Sequence, residues 1–291
     1  MWEDKHMEIK RATTYEEQLN ILRNRGVVIE DEKKCEAILK NLNYYRLIAY
    51  FLPYKQSDDT YKSGTRFLHV YRLYEFDRKL RRILFSALED VEISLRARFA
   101  YYHAHKYGPV GYLDPANFNQ YHKHDKFKEQ IDREVESNKT VLFVKHHLEQ
   151  YGGIFPVWVI AELFTFGMLS RFYADMPLVD QKYLAKTEYS TTPQNIKSWL
   201  RCCSDLRNIC AHYGRLYYRI FPAIPAGVDG NPNKLRRLWG AVLALRGLFL
   251  DADKWNNEVL PAISALFEEY AQDINLYCIA FPNDWECKLK K

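Results

Sequence analysis

Apolar residues recur every three or four positions along most of the chain, which is the period of an amphipathic α-helix. The longest such pattern begins near Val70, runs toward His105 and ends at the helix-breaking pair Gly108-Pro109. Its apolar stripe consists of Leu73, Phe76, Leu80, Ile83, Ala87, Val91, Leu95 and Tyr102. Alternation with a period of two, which indicates strands, is scarce. The pattern therefore predicts an all-α fold.

Start and stop signals divide the rest of the chain into shorter helices. Thr14 and Glu17 have the spacing of a capping box, and the helix that they open should stop at Gly26. An aromatic segment at 42–54 should break at Pro53. The remaining helices expected from the pattern span about 31–41, 126–137, 156–169, 192–213, 234–250 and 256–272.

The helix expected at 192–213 has the clearest signals. Thr192 and Pro193 are typical of a helix start, because the hydroxyl caps free N–H groups and proline fits the first turn. Gly214 is typical of a stop, because glycine readily takes the left-handed conformation that closes a helix. The apolar stripe between them consists of Ile196, Trp199, Leu200, Cys203, Leu206 and Cys210.

Three polar residues near the end of this helix carry the candidate chemistry. At about 100° per residue, Arg207 falls inside the apolar stripe, whereas Asn208 and His212 lie one turn apart on another side. We therefore expect Arg207 to be partly buried. A buried guanidinium needs an anionic or carbonyl partner, because an unpaired buried charge is very costly.

Two interpretations of these residues remain open at this point. Arg207 can pair with a carboxylate of another helix, such as Glu89, Asp90 or Glu92, while His212 only interacts with the helix dipole. Alternatively, Arg207 and His212 share a cleft and act on a phosphate. RNA carries its own nucleophile, the 2′-OH, so an enzyme needs to move protons and to stabilise charge on the phosphate. Histidine and arginine are suited to those two tasks.

The sequence around these residues resembles the signature of a known family. The stretch at 206–219 reads Leu-Arg-Asn-Ile-Cys-Ala-His-Tyr-Gly-Arg-Leu-Tyr-Tyr-Arg, and it is similar to that of the Abi-like family, the abortive-infection proteins of the AbiD/AbiF type. Further segments similar to that family occur earlier in the chain, in the order that the family has them. They lie at 15–19, 42–47, 73–81, 91–96, 106–109, 112–114, 156–158 and 166–170.

The resemblance implies a helical bundle of the HEPN type, with extra N- and C-terminal helices, and an Arg-x4–6-His ribonuclease motif. That motif falls on Arg207, Asn208 and His212. The implied activity is metal-independent RNA cleavage without a cofactor, in bacterial defence against phage. The implied partners are an RNA substrate, a second copy of the chain and an RNA or protein silencer. The alternative function is a non-catalytic helical module that binds RNA or protein.

A second Arg/His spacing occurs in the long helix. Arg98 precedes His103 with four residues between them, and Arg96 precedes it with six, so a second catalytic motif is conceivable. Arg96 is also expected to line a site or to form a structural ion pair. Aromatic and basic residues near the first motif can stack on bases or contact phosphates. The candidate RNA-binding residues are Arg96, Arg98, His103, Arg215, Tyr217 and Arg219.

Composition narrows the class of protein only modestly. Apolar residues make up 47% and charged residues 27%, which is typical of a globular chain, and the net charge of +5 is compatible with an RNA ligand. The six cysteines have no zinc-like spacing, and Cys203 and Cys210 are expected to pack as small apolar residues. Without an export signal or a membrane span in the sequence, we expect a cytoplasmic protein that makes no membrane contact.

A proline- and glycine-rich stretch at 221–232 is the clearest break in the chain, and we expect it to be a surface loop beside the candidate site. The sequence therefore predicts three segments. Residues 1–65 form a helical extension packed on the core, 66–220 form the core with the candidate motif, and 221–291 form the loop and the helices that complete the bundle.

Overall fold

The computed structural model describes residues 11–291. Over these residues the regular structure is helical, and no β-strand occurs. The β-type pairings found there are two isolated bridges, Val28 with Arg66 and Lys55 with Tyr61. The all-α fold predicted from the hydrophobic period is confirmed.

The α-helices follow one another along the chain with short 3₁₀ turns between some of them. Their bounds are α1 Tyr15–Asn24, α2 Glu32–Asn41, α3 Tyr44–Phe51, α4 Phe67–Tyr107, α5 His124–Ser137, α6 Leu142–Gln150, α7 Val157–Ile160, α8 Phe166–Asp175, α9 Leu178–Tyr189, α10 Pro193–Ala211, α11 Pro232–Leu235, α12 Leu238–Leu248, α13 Ala252–Lys254, α14 Leu260–Glu269 and α15 Trp285–Leu289.

The helix α4 has 41 residues and is therefore about 60 Å long. Its predicted apolar stripe is buried, except that Ile83 and Tyr102 keep part of their surface exposed. The helix begins at Phe67 and ends at Tyr107, just before the breaker pair that the sequence indicated. Its length explains how one element presents both core residues and several of the candidate polar residues.

One compact unit comprises residues 11–79 together with 267–274. The capping box that opens α1 is present, since the Glu17 amide donates to the Thr14 hydroxyl at 3.1 Å and the Thr14 amide donates to the Glu17 carboxylate at 2.8 Å. Further along, Arg72 donates to the Asp273 carboxylate at 2.6 Å. This ion pair ties the start of α4 to the segment at 267–274.

The second compact unit comprises residues 80–266 together with 275–291. In this unit α10 contacts both α8 and α12. The contact with α12 is close because Gly247 faces the ring of Trp199, where an added Cβ would lie 2.7 Å from ring atoms. The helix that carries the candidate motif is therefore held along its length by the core.

The loop that follows α10 does not lie where the sequence analysis placed it. The Ala226 amide donates to the Ser198 hydroxyl at 2.8 Å, and the Trp199 indole N–H donates to the Ala226 carbonyl at 2.9 Å. Ser198 precedes His212 by about 20 Å of helix. The centre of the loop thus packs on the first half of α10, so the expectation that it borders the candidate site is corrected.

Other differences from the predicted helices have local causes. The helix expected from Pro156 onward is interrupted, because the chain leaves the helical conformation at Phe164 and the Thr165 side chain caps a new helix, α8. The helix α9 was missed because it buries the polar residues Asp180 and Gln181 on its inner face. The expected helix at 256–272 starts as a π-helical turn at Trp255–Val259.

Candidate active site

The second half of α10 presents the candidate residues. The Thr192 hydroxyl accepts from the Asn195 amide at 3.3 Å, as predicted for the N-cap, and every residue of the predicted stripe is buried. The burial of Cys203 and Cys210 confirms that both pack as apolar residues. The helix ends at Ala211, and His212 is its C-cap. The buried stripe therefore fixes where the polar residues on the opposite side emerge.

The turn after α10 closes the helix with a residue other than the predicted one. Tyr213, not Gly214, takes the left-handed conformation, with φ 56°. The Gly214 amide donates to the Ile209 carbonyl at 2.7 Å, and the Tyr213 amide donates to the Cys210 carbonyl at 3.2 Å. This is the Schellman pattern. A left-handed non-glycine residue costs roughly 1–2 kcal/mol, so the turn beside His212 is strained.

Gly214 is needed for close approach and not for its φ angle. A Cβ at this position would lie 3.1 Å from the Ile209 Cγ2 atom and 3.3 Å from its carbonyl oxygen. The Gly214 carbonyl in turn accepts a hydrogen bond at 3.1 Å from Arg81, a buried residue of α4. Arg81 therefore anchors the turn that holds His212, a role that no local pattern around Arg81 predicts.

Arg207 meets one of the three carboxylates considered from the sequence. Its Nε lies 3.5 Å from the carboxylate of Glu92 on α4, a residue that is 8% exposed. The stronger partner of Glu92 is Arg96, whose guanidinium donates to the same carboxylate at 2.6 Å. Arg96 also donates to the Phe164 carbonyl, at 2.8 and 3.2 Å. Two arginines thus share one buried carboxylate, which leaves the cluster with one net positive charge.

The contact with Glu92 anchors Arg207 at one edge only. Its Nε is buried and, although it lies 3.5 Å from the Glu92 carboxylate, forms no hydrogen bond with any residue in 11–291. The side chain as a whole keeps 30% of its surface exposed, which confirms the expected partial burial. Its terminal nitrogens form no hydrogen bond with any described residue. An arginine in this position can still offer its fork to a phosphate.

Asn208 and His212 lie together at the surface. Both side chains are exposed, and the His212 amide donates to the Asn208 carbonyl at 3.0 Å. Neither side chain hydrogen-bonds to another residue of the described chain. Arg207 and His212 point about 140° apart around the helix axis. A single chain therefore presents an exposed Asn/His pair and, on another side, an arginine directed toward α4.

A half-buried carboxylate lies one turn before Asn208. Burial raises the pKa of Asp205, while the nearby charges of Arg201 and Arg219 act in the opposite direction. The Oδ2 atom of Asp205 has no hydrogen-bond partner in the part of the chain that the structure describes. Arg219, which follows the turn, is therefore near enough to favour the charged form of this carboxylate.

The second Arg/His spacing does not form a site. His103 is 1% exposed and is surrounded by the rings of Tyr107, Phe118 and Phe172. Burial lowers the pKa of His103 to about 4, although the backbone of Gly111 beside it favours the charged form. His103 is therefore a neutral core residue, and both its proposed catalytic role and its proposed contact with RNA are corrected.

Arg98 lies on a different side of α4 from His103. It forms an ion pair with Glu188 of α9, and its Nε donates to the Ser94 hydroxyl at 3.2 Å. The side chain of Arg98 is 39% exposed and lines a groove of about 640 Å³ between α4 and α9. Arg96, by contrast, is held inside the cluster with Glu92, as the sequence analysis allowed. Of the two, only Arg98 faces solvent on a groove.

The three candidates after the turn differ in accessibility. Tyr217 is 2% exposed, and its hydroxyl donates to the Asn275 carbonyl at 3.0 Å and accepts from the Asn275 amide at 2.7 Å. Tyr217 is thus a packing residue, and its proposed stacking on RNA is corrected. Arg215 is half-buried and Arg219 is exposed. Contact of these two arginines with RNA stays a prediction.

Two other kinds of feature concern a metal ion and a membrane. Within residues 11–291, no group of three or more His, Cys, Asp or Glu side chains is placed so that it could hold a metal ion. Across the same residues, none of the helices combines the length and the apolar character needed to cross a membrane.

Comparison with known proteins agrees with the resemblance seen in the sequence. The family model described as Abi-like protein matches residues 37–218, which is more than half of the chain and includes α4, α10 and the turn after it. The chain belongs to the Abi-like protein family. Membership in this family indicates a role in abortive infection, a form of defence. Neither the curated proteins nor the solved structures contained a match.

Proposed function

We propose that this protein is a metal-independent endoribonuclease of the HEPN type, which acts in abortive infection. One observation supports the proposal best. Asn208 and His212 are exposed together without a hydrogen-bond partner for either side chain in residues 11–291, while Glu92 contacts the neighbouring Arg207 at its Nε and leaves its terminal nitrogens open. Acid–base and phosphate-binding groups are thus available at one end of α10.

The reaction is an internal transfer followed by release of the leaving group. A base removes the proton from the 2′-OH of the ribose, and the 2′ oxygen attacks the adjacent phosphorus. The bond from phosphorus to the 5′ oxygen breaks, and an acid gives that oxygen a proton. The products carry a 2′,3′-cyclic phosphate and a 5′-hydroxyl. Histidine is suited to both proton transfers near neutral pH.

Arg207 stabilises the charge that develops on the phosphate oxygens, because its planar fork matches them and stays protonated. Asn208 lies one turn before His212 and either donates to the phosphate or orients the imidazole. Because Arg207 and His212 point apart within one chain, we propose that a second copy completes the site. Each copy then supplies one histidine, and the two serve as base and acid.

The test is cleavage of RNA by a variant that lacks the imidazole. We expect His212→Ala to lose about 10²–10⁴-fold in cleavage rate, which is the usual contribution of a general acid or base, while its thermal unfolding stays unchanged. His146→Ala is the matched control, because His146 is also exposed but lies on a different helix, α6. The control should keep full activity.

A second function has one observation in its favour. The contact between Arg207 and Glu92 is also consistent with an ion pair that only stabilises the fold. Such a pair is expected in a non-catalytic module that binds RNA or protein. Such a module would bind its partner equally well with His212→Ala. Folded His212→Ala with undiminished cleavage would contradict the nuclease, and RNA binding without any cleavage by the native protein would favour the module.

A further inference from the structure

A small basic pocket lies between α5 and α8, apart from the candidate active site. Its volume is about 330 Å³, within the usual range for sites that bind small groups. Lys123 and Lys126 line it from the start of α5, and Arg171 lines it from α8. Three cationic side chains from two helices therefore converge on one concave surface.

The part of the chain that the structure describes leaves these three cations without an ion pair. None of them forms an ion pair with a residue in 11–291, whereas many other lysines and arginines of the described chain do. One carboxylate, that of Asp175, also lines the pocket and contacts the His122 ring at 2.9 Å, so a single negative charge faces the three cations. The pocket keeps a positive charge that the protein does not neutralise, and a concave surface of one sign attracts ions of the other.

The larger groove between α4 and α9 shows the opposite arrangement. It has about 640 Å³, but its arginine, Arg98, is paired with Glu188, and its lysine, Lys106, is paired with Asp180. The positive charges of that groove are thus matched by carboxylates. Charge, and not size, therefore singles out the smaller pocket as the place for an anion.

The pocket also has an aromatic rim and a packed floor. Tyr121 is 77% exposed at its edge, so its ring face is open to a nucleobase. Phe127 forms part of the floor and packs on Phe164, with ring centroids 5.8 Å apart. The Phe164 carbonyl is held by Arg96, the residue that shares Glu92 with Arg207. A short series of direct contacts therefore links the floor of the pocket to the candidate active site.

We infer that this pocket binds phosphate groups of an RNA strand, with Tyr121 stacking on an adjacent unpaired base. Lys123, Lys126 and Arg171 are the phosphate contacts. The identification of the ligand as RNA rests on the proposed function, but binding at this pocket requires no cleavage. The role of the pocket is to hold the strand at a distance from the scissile bond, so it determines affinity and not the chemical step.

The experiment measures binding of a fluorescent single-stranded 2′-O-methyl RNA, which has no 2′-OH and cannot be cleaved by internal transfer. Its affinity is determined by anisotropy at several salt concentrations, for the native protein and for the triple variant Lys123→Gln/Lys126→Gln/Arg171→Gln. The control triple variant is Lys128→Gln/Lys182→Gln/Lys186→Gln, which removes the same charge from exposed positions of α5 and α9 outside the pocket. Circular dichroism verifies that each variant is folded.

We expect the pocket variant to bind at least about tenfold more weakly and its plot of log affinity against log salt to be shallower by roughly two units, since each phosphate contact on a single strand contributes about 0.7. The control variant should change little. Tyr121→Ala should also weaken binding, with the salt dependence unchanged.

Equal affinities of the pocket and control variants would overturn the inference. So would binding of ATP or pyrophosphate that is lost in the pocket variant while RNA binding is kept, because the ligand would then be a free nucleotide or phosphate. Since the probe cannot be cleaved, these outcomes are independent of whether His212 is catalytic.

Discussion

Arg207 is the residue on which the two interpretations of the site differ. Among the described residues its one ion-pair partner is Glu92, at 3.5 Å from its Nε, and that carboxylate is bound more closely by Arg96. A pair without a hydrogen bond contributes little by itself. The arrangement is better explained as one in which Glu92 sets the position of Arg207 and leaves its terminal nitrogens for a ligand.

This view of Glu92 leads to a prediction about Glu92→Gln. The amide keeps the shape of the side chain but removes its charge, so Arg207 should lose its anchor. We expect cleavage to fall by about tenfold or more in kcat, with KM changed less, and the free energy of unfolding to fall by about 2 kcal/mol. Steady-state kinetics and urea unfolding measure the two effects separately.

Glu89→Gln is the matched control, because Glu89 is an exposed carboxylate on the same helix. It should change neither activity nor stability. If Glu92→Gln proves less stable but cleaves RNA at the native rate while folded, Glu92 has only a structural role and the proposed positioning of Arg207 is wrong.

His103 leads to a prediction about pH. In the unfolded chain a histidine takes up its proton near pH 6.5, whereas burial lowers the pKa of His103 in the folded chain to about 4. The unfolded state therefore binds more protons over this interval, and stability should decline as the pH falls from about 6.5 to about 4, by a total on the order of 3 kcal/mol from this residue.

His103→Phe should remove that part of the decline, because a phenyl ring suits the surrounding aromatic cluster and does not titrate. The measurement is the free energy of unfolding in urea across pH 4–7 for the native protein, for His103→Phe and for the surface control His146→Phe. A native slope that persists in His103→Phe would show that other groups cause the acid sensitivity.

At the scale of elements, α10 shows what the sequence could predict. Its start at Thr192 and its buried stripe followed from capping chemistry and a regular apolar period, which are local properties of the sequence. The end of α10 was predicted at the right place, but the residue predicted to take the left-handed conformation there, Gly214, was the wrong one. Tyr213 takes the left-handed conformation, whereas Gly214 is required for close packing against Ile209. That requirement depends on the folded turn and has no local signature.

The helix α9 shows where the same approach fails. The inner face of α9 includes Asp180, which accepts hydrogen bonds from Lys106 and Tyr107 of α4. A polar residue buried by such long-range partners looks like a surface residue in the sequence, so the apolar period is lost. Because the contact between Asp180 and Lys106 was not predicted, the groove between α4 and α9, whose positive charges are paired with carboxylates, was not predicted either.

At the scale of the whole molecule, the family and the fold class were predictable from the sequence. Which residues belong to the candidate site was only partly predictable. Eight ordered segments and the 206–219 stretch carried the family resemblance, which the match over 37–218 confirms. The sequence could not say which carboxylate meets Arg207, nor that His103 and Tyr217 are buried. Those facts depend on how distant helices pack, which spacing along one helix does not encode. The HEPN placement stays a prediction.

The divergence of Arg207 and His212 is also a property of the whole molecule. Since they point about 140° apart on α10, one chain does not offer both to the same phosphate in the described conformation. Assembly of two copies would bring an arginine of one chain and a histidine of the other to a common substrate. The proposed catalytic unit is therefore a dimer, in which the chemistry of each half depends on its partner.

The most direct test of the proposed chemistry is the identity of the RNA ends. Purified protein is incubated with a defined single-stranded RNA in the presence of EDTA, and the product termini are determined by mass spectrometry. We expect 2′,3′-cyclic phosphate and 5′-hydroxyl ends from the native protein and none from His212→Ala. Products with 5′-phosphate ends, loss of activity in EDTA, or the same products from folded His212→Ala would contradict the proposed nuclease.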